Sequence, residues 1–404
     1  MTPLIRVARS DGPALSICMV LYRGGELALQ ALAAVAEHTD VPYEVIVVDN
    51  CSPDGSGLLV LAGTHGVRYL GNDSNLGFGP AMNQAVGAAR AEVVCLLNPD
   101  TEVQPGWAAP LLARLGRPGA AAATPLLLER DGATPQEAGG IIDGRGLSHA
   151  VGTPSWDDDG ATVVGRVVDY ASAACLAVRR DAFEAVGGFD PRYRLAYFED
   201  ADLAFALAGA GYRMWFEPAS RVMHLRGGTD RGGTAIALAL ENHERFVDKW
   251  RAELLTRPSD ADDATSRLLL RDWRAPARVA VIDTGDAAST GAAVAAWRLS
   301  CPDAVLDLVT LVAPGDERAP VRWAGDPASE VCWWRIDDPV GWLTVRRTHL
   351  DVIVVEPGAT PWVEAIGRTG TRATLVAPGA DDRTRLRALS DRATRGPFPE
   401  RSAC

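Results

Sequence analysis

Four short apolar runs, "ALSICMVLY" (14–22), "YEVIVVDN" (43–50), "GVRYLGN" (66–72) and "VVCLLNPD" (93–100), recur through the first hundred residues. Consecutive apolar positions are the mark of strands covered on both faces. Between them lie "GELALQALAAVAEHT" (25–39), "GLLVLAGTHG" (57–66) and "GPAMNQAVGAARA" (79–91), whose apolar spacing is helical. A βαβαβαβ order of this kind predicts a parallel sheet with helices on both faces. Ligands of such open sheets bind outside the carboxyl ends of the strands. The carboxylate of Asp100, at the end of a core strand, therefore poses the first functional question.

The pattern loosens after residue 105. "PGWAAPLLARLGR" (105–117) predicts a helix, "AAAATPLLLE" (120–129) a strand and "GTPSWDDDGAT" (152–162) a polar loop. Residues 167–191 predict an apolar strand and then a helix closed by Gly187 and Gly188. A helix follows over 197–213, then a strand carrying His224 and a long amphipathic helix over 235–255. This gives a first domain over 14–255, a charged, Pro-containing linker over 256–276, and a smaller Rossmann-like α/β domain over 277–393. Strands in that second domain are expected at 277–285, 306–314, 329–337, 350–357 and 372–379. It has no G-x-G-x-x-G after its first strand, so it is read as accessory. Its strand-end acids Asp283, Asp286 and Glu356 are noted, and Trp333 and Trp334 are read as core. Residues past Ala393 are read as a frayed tail.

With 404 residues, 47% of them hydrophobic, the chain has ample material for two or three domains. The formal net charge of −12 argues against non-specific nucleic-acid binding. Seven scattered cysteines without a C-x-x-C pair suit buried thiols in a reducing compartment. The first residues lack the apolar core of a signal peptide, and no run reaches transmembrane length. The expectation is a cytoplasmic protein, with peripheral contact at the inner face of the membrane left open. Oligomeric state is not legible.

Six segments in series carry a resemblance: "ICMVLY", "EVIVVDNCSPDGSG", "NLGFGPAMNQAVGAARAEVVCLLNPDTEVQPGW", "VDYASAACLAVRRDAFEAVGGFD", "YFEDADLAFALAGAGYR" and "RVMHLRGG". Together they resemble the inverting family 2 glycosyltransferases, closest to the rhamnosyltransferase and galactofuranosyltransferase-like branch. The resemblance covers roughly residues 14–250 and implies a GT-A fold. It also implies a nucleoside-diphosphate sugar donor, linked to dTDP or UDP, and a divalent metal, Mn²⁺ or Mg²⁺. A hydroxyl acceptor on a glycan, a lipid-linked intermediate or a small molecule completes the reaction.

The residues can be read in that light. Asp49 can accept from the imide N–H of uracil or thymine, and Asn50 follows it; a plain turn in "DNCSPDGSG" is the alternative. Asn75 and Gly77 form a corner before a helix where backbone N–H groups can face the donor, with Asn83 on that helix. Tyr22 ends the first strand near the base pocket, although "LYRGG" departs from the family's Asn-Tyr-Asn-like run. Asn98 precedes Asp100, and Arg226 is a candidate for bidentate contact with the diphosphate. Ala173 stands where the family usually has Gly, which narrows the donor-sugar site.

In "NPD" only the last acid of the family's D-x-D type metal motif is present, Asp100, and the resemblance implies His224 as second ligand. A hard cation there neutralises the departing diphosphate, and a His–carboxylate pair leans towards Mn²⁺. The resemblance assigns Asp200 as the general base and Glu199 as its orienting neighbour. Adjacent helical residues point about 100° apart and cannot share one task. Asp202 is read as a helix-face residue. The competing reading for the acids is simple stabilisation of the helix dipole. Trp156 and the acids at 157–159 are candidates for an acceptor lid. The rival functions are a nucleotidyltransferase, for which "LYRGGELA" supplies only Arg23, and a catalytically inactive GT-A-like binding protein.

Overall fold

The computed structural model describes residues 4–8, 10–153, 162–225, 233–283, 285, 287–323, 330–346, 349–355, 359–369, 371, 373–376, 380–381, 384 and 388. It divides into two compact units, 1–155 with 168–255, and 156–167 with 256–404.

The first unit is built on a mixed sheet. Its strands include β1 (Leu15–Leu21), β2 (Tyr43–Asp49), β3 (Arg68–Gly71), β4 (Val93–Leu97), β5 (Thr101–Val103), β6 (Ala120–Leu128), β7 (Cys175–Arg179) and β8 (Arg213–His224). Seven of them run in the order β8-β6-β7-β4-β1-β2-β3, and β5 pairs with β8. Strands β4, β1, β2 and β3 are mutually parallel, as the alternation predicts. Strand β7 is antiparallel to both β4 and β6. Every residue of β1 is buried, which is why its sequence shows no polar alternation. Helix α1 (Gly25–His38) buries Ala28, Ala31, Leu32 and Val35, one helical face.

Helix α2 (Phe78–Ala88), helix α3 (Glu199–Gly209) and the long helix α4 (Gly233–Leu254) complete the frame around the site. Ala81, Met82 and Ala85 of α2 and Leu203 and Phe205 of α3 enter the same core cluster as Phe246 of α4. Helix α4 departs from helical geometry at Trp250. The apolar run after 167 is not one strand. It splits into Arg166–Val168 and β7, because the Ser172 hydroxyl accepts from the Ala174 N–H and closes a local turn instead of a ladder.

The second unit carries a six-stranded sheet in the order Arg318–Arg322, Val331–Ile336, Val305–Leu311, Arg278–Asp283, Val352–Val354, Thr374–Val376. All neighbours are parallel except the first pair. The edge strand Arg318–Arg322 has no counterpart among the strands expected from sequence. Within 256–276, expected to be linker, residues Ala264–Arg271 form a helix. Asp263 caps it by accepting from the Thr265 and Ser266 amides, and Leu268 and Leu270 are buried. Trp334 is buried and donates to Asp307, while half-buried Trp333 packs on the other face of the sheet. Asp283 is occupied by the Gly285 amide and the hydroxyls of Thr290 and Thr310. Asp286, Glu356 and residues past 388 lie outside the described residues.

Among the described residues no helix is long and apolar enough to cross a membrane. Of the cysteines described, Cys18, Cys95, Cys175 and Cys332 are buried, Cys301 is half-buried, and Cys51 is exposed.

Candidate active site

The carboxyl ends of β1, β2 and β4 meet the start of α2 and the turn before α3. At the end of β2, Asp49 accepts from the Ser52 amide at 3.0 Å and from the Tyr69 hydroxyl at 2.7 Å. Each carboxylate oxygen keeps a second lone pair for a ligand. Gly57 lies so close that a Cβ there would sit 1.9 Å from Asp49 Oδ2. Tyr22 is exposed at the end of β1, with the Arg23 guanidinium 5.7 Å from its ring centre.

Two residues expected at the nucleotide bond to the protein itself. Asn50 is buried, and its amide is committed to the protein. Nδ2 donates to Asn75 Oδ1 and the Gly77 carbonyl, and Oδ1 accepts from Asn72 and the Leu76 amide. Asn83 donates to the Phe189 carbonyl and accepts from the Phe189 amide, both at 2.9 Å. Both residues shape backbone. Asn50 holds the corner made by Asn75 and Gly77, where Asn75 Oδ1 also accepts from the Gly77 amide. Gly77 has φ +91°, and a Cβ on it would meet the Leu195 backbone at 2.9 Å. Only glycine fits that approach.

Asp100 and His224, far apart in sequence, are brought together by ladder pairing. Strand β5 runs antiparallel to β8 with His224 opposite Thr101, and the Leu225 amide donates to the Asp100 carbonyl. Asn98 is fixed beside them through its backbone, by its own amide to Ala174 and by Thr101 to its carbonyl. His224 Nε2 lies 3.5 Å from Asp100 Oδ1, both side chains largely buried. Behind the imidazole, Nδ1 meets Gln136 Oε1 at 2.7 Å. The Gln136 amide nitrogen donates to the His224 carbonyl and to Glu129, which fixes its orientation. Gln136 Oε1 can only accept, so Nδ1 donates to it, and Nε2 is the nitrogen that faces Asp100. A carboxylate beside an imidazole held in this tautomer by an outer partner fits a divalent cation. Among the described residues no third His, Cys, Asp or Glu joins them.

Helix α3 opens with both acids of "FED". Asp200 is half-buried. Its Oδ2 accepts from the Tyr170 hydroxyl at 3.0 Å and the Ala173 amide at 3.4 Å, and its Oδ1 from the Ala201 amide. Burial raises its pKa against the pull of these bonds. Glu199 is buried, with Oε2 lacking a partner, and burial plus the neighbouring Asp200 charge push it up to about 8. The two differ in their bonds: three donors favour the charged form of Asp200, whereas Glu199 Oε2 has none and burial favours its neutral form. Tyr170, buried and beside Asp200, is itself pushed well above its usual range. Asp202 is no surface residue, because Tyr193, Lys249 and Trp250 all bond to its buried carboxylate.

Sequence reasoning missed Gln136, Glu137, Tyr69 and Tyr170. Gln136 and Glu137 sit on a short strand, Pro135–Glu137, whose alternation sends one to His224 and the other to the Ser172 amide. Two buried polar residues inside "ATPQEAGG" were the available signal. Arg226, Trp156 and the acids at 157–159 lie outside the described residues.

A parallel half-sheet with Asp49 at the end of one strand and Asp100 beyond another, one reversed strand, and a carboxylate pair at a helix start make up a Rossmann-like GT-A architecture. The model of glycosyl transferase family 2 matches residues 16–187. The N-acetylglucosaminyl-diphospho-decaprenol L-rhamnosyltransferase of Mycobacterium tuberculosis (strain ATCC 25618 / H37Rv) is 31% identical over 271 residues, which cover 59% of this chain and 87% of that protein. The O-antigen biosynthesis protein RfbC of Myxococcus xanthus is 30% identical over 193 residues, 45% of this chain and 15% of that one. A crystal structure of GalNAc-T7 with UDP, GalNAc and Mn²⁺ aligns at 20% identity and TM-score 0.48 over 60% of this chain and 50% of that one. The chain belongs to glycosyl transferase family 2. It is a glycosyltransferase.

Proposed function

We propose that the protein is an inverting transferase that moves a deoxyhexose, rhamnose, from a dTDP- or UDP-sugar to a hydroxyl of a lipid-linked glycan intermediate in cell-surface polysaccharide assembly. The choice of sugar and acceptor is supported by kinship with the mycobacterial rhamnosyltransferase. The observation that carries the mechanism is the environment of Asp200. A carboxyl group held by Tyr170, Ala173 and Ala201, with its pKa raised by burial, suits a base that takes a hydroxyl proton in one displacement. Protonated Glu199 beside it offers a hydrogen-bond donor to a sugar hydroxyl. Asp49 and Tyr22 receive the base, with Asn50 and Asn83 acting behind the corner made by Asn75 and Gly77. Asp100 and His224 would hold Mn²⁺ or Mg²⁺, which when bound supplies positive charge to the leaving diphosphate.

The test is transfer of radiolabelled rhamnose from dTDP-rhamnose to GlcNAc-diphospho-polyprenol with Mn²⁺, and assignment of the product anomer by NMR. The expected product has the configuration opposite to the donor's. A retained configuration, or no transfer from either dTDP- or UDP-linked sugar, contradicts the reading.

A further inference from the structure

The turn that delivers the "FED" acids is strained. Leu195, Tyr197 and Phe198 all adopt left-handed backbone, with φ of 62°, 78° and 69°. Non-glycine residues held there cost of order 1–3 kcal/mol each and persist only where surroundings impose them. Two contacts impose them here. On the donor side, the Phe78 amide donates to the Leu195 carbonyl at 2.6 Å, beside the close approach of Gly77. From the opposite side comes Asn242 of α4, fully buried. Its Nδ2 lies 3.1 Å from the Arg194 carbonyl, 2.8 Å from that of Ala196 and 3.2 Å from that of Tyr197. Its Oδ1 accepts from Arg245 at 2.7 Å, which sets the amide the right way round. One side chain thus gathers three carbonyls of a turn that would otherwise relax.

We propose that Asn242 is a positioning residue for transfer, which acts by holding the 194–198 turn so that Asp200 meets the acceptor hydroxyl. The inference rests on Asp200 as the base. Seven residues on, Lys249 and Trp250 of the same helix fix Asp202, so α4 grips the catalytic segment on both sides of Asp200. The donor corner has its own support in Asn50, which holds Leu76 and Gly77 without help from α4. Asn242 should therefore govern turnover and leave nucleotide affinity alone.

The test compares wild type with Asn242→Asp, which keeps the shape and replaces the amide donor by a carboxylate facing three carbonyls, and with Asn242→Ser in case the first variant does not fold. Both are assayed for Mn²⁺-dependent release of dTDP from dTDP-rhamnose, for dTDP affinity, and for hydrogen exchange across 195–201. The expected result is a kcat lower by about 100-fold, the scale of an ångström of misplacement. The dTDP Kd should stay within about threefold, and exchange should be faster in 195–201 alone. A folded variant with wild-type kcat, or one that loses dTDP affinity in step with kcat, overturns the inference. Absence of dTDP binding and release in the wild type instead strikes the underlying reading, and the exchange experiment still decides whether Asn242 holds the turn.

Discussion

Glu199 and Asp200 are adjacent in sequence and both raised in pKa by burial, and their hydrogen bonds make the difference between them. Asp200 reaches three donors, while Glu199 Oε2 has none. Replacing Asp200 by Asn should lower kcat by about 10³-fold or more, since the amide cannot take a proton. Glu199→Gln keeps a neutral donor and should stay within about tenfold of wild type. The same pair makes a pH prediction for stability. Glu199 binds its proton more tightly folded than unfolded, so the stability it contributes is complete below about 4.5 and is lost as pH rises to about 8. Thermal unfolding across that window should show a fall in wild type that Glu199→Gln flattens; equal slopes would mean that Glu199 is ionised in the folded protein. Of these residues, the acids were singled out in sequence because chemistry of this kind needs carboxylates at strand ends and helix starts. Tyr170 and Gln136 were not, because what they do depends on which distant side chains, Asp200 and His224, they face. The expectation that Asn50 and Asn83 face a nucleotide has the same root: a buried amide that bonds to backbone looks, in sequence, like one that faces a ligand.

The elements divide in the same way. Strands β1 to β4 and their helices follow directly from apolar periodicity, because full burial leaves a continuous apolar run. The break between Arg166–Val168 and β7 was hidden, since "ASAAC" is apolar enough to pass for strand while Ser172 turns the chain. The helix at Ala264–Arg271 was hidden by the Pro and charge around it, although Asp263 is an ordinary N-cap. The corner before α2 is the element on which donor and acceptor sides both lean. Gly77→Ala places a methyl 2.9 Å from the Leu195 backbone at φ +91°. It should destabilise the fold by about 1–3 kcal/mol and weaken dTDP binding as well. Thermal unfolding with and without dTDP checks both, and unchanged values would show that the corner has room to spare.

At the scale of the molecule, the proposed site is assembled from residues between 22 and 224, and no local window contains it. The sheet does the assembling: parallel strands carry Asp49 and Asp100 to one edge, the β5–β8 ladder returns His224 to Asp100, and Tyr170 meets Asp200 across the turn after Arg166–Val168. Sequence supplied the parts and their order through the resemblance, whereas the ladder partners that bring them together exist only in three dimensions. The family match ends at residue 187, within the first unit. The six-stranded sheet of the second unit, built from strands between 278 and 376, lies beyond that match. The central claim is that a metal held by Asp100 and His224 joins the nucleotide diphosphate to this sheet edge. Titration calorimetry of dTDP and UDP, with and without Mn²⁺, on wild type, Asp100→Ala and Asp200→Asn tests it most directly. The account predicts Mn²⁺-dependent binding that Asp100→Ala abolishes and Asp200→Asn preserves. Binding indifferent both to Mn²⁺ and to Asp100 would contradict it.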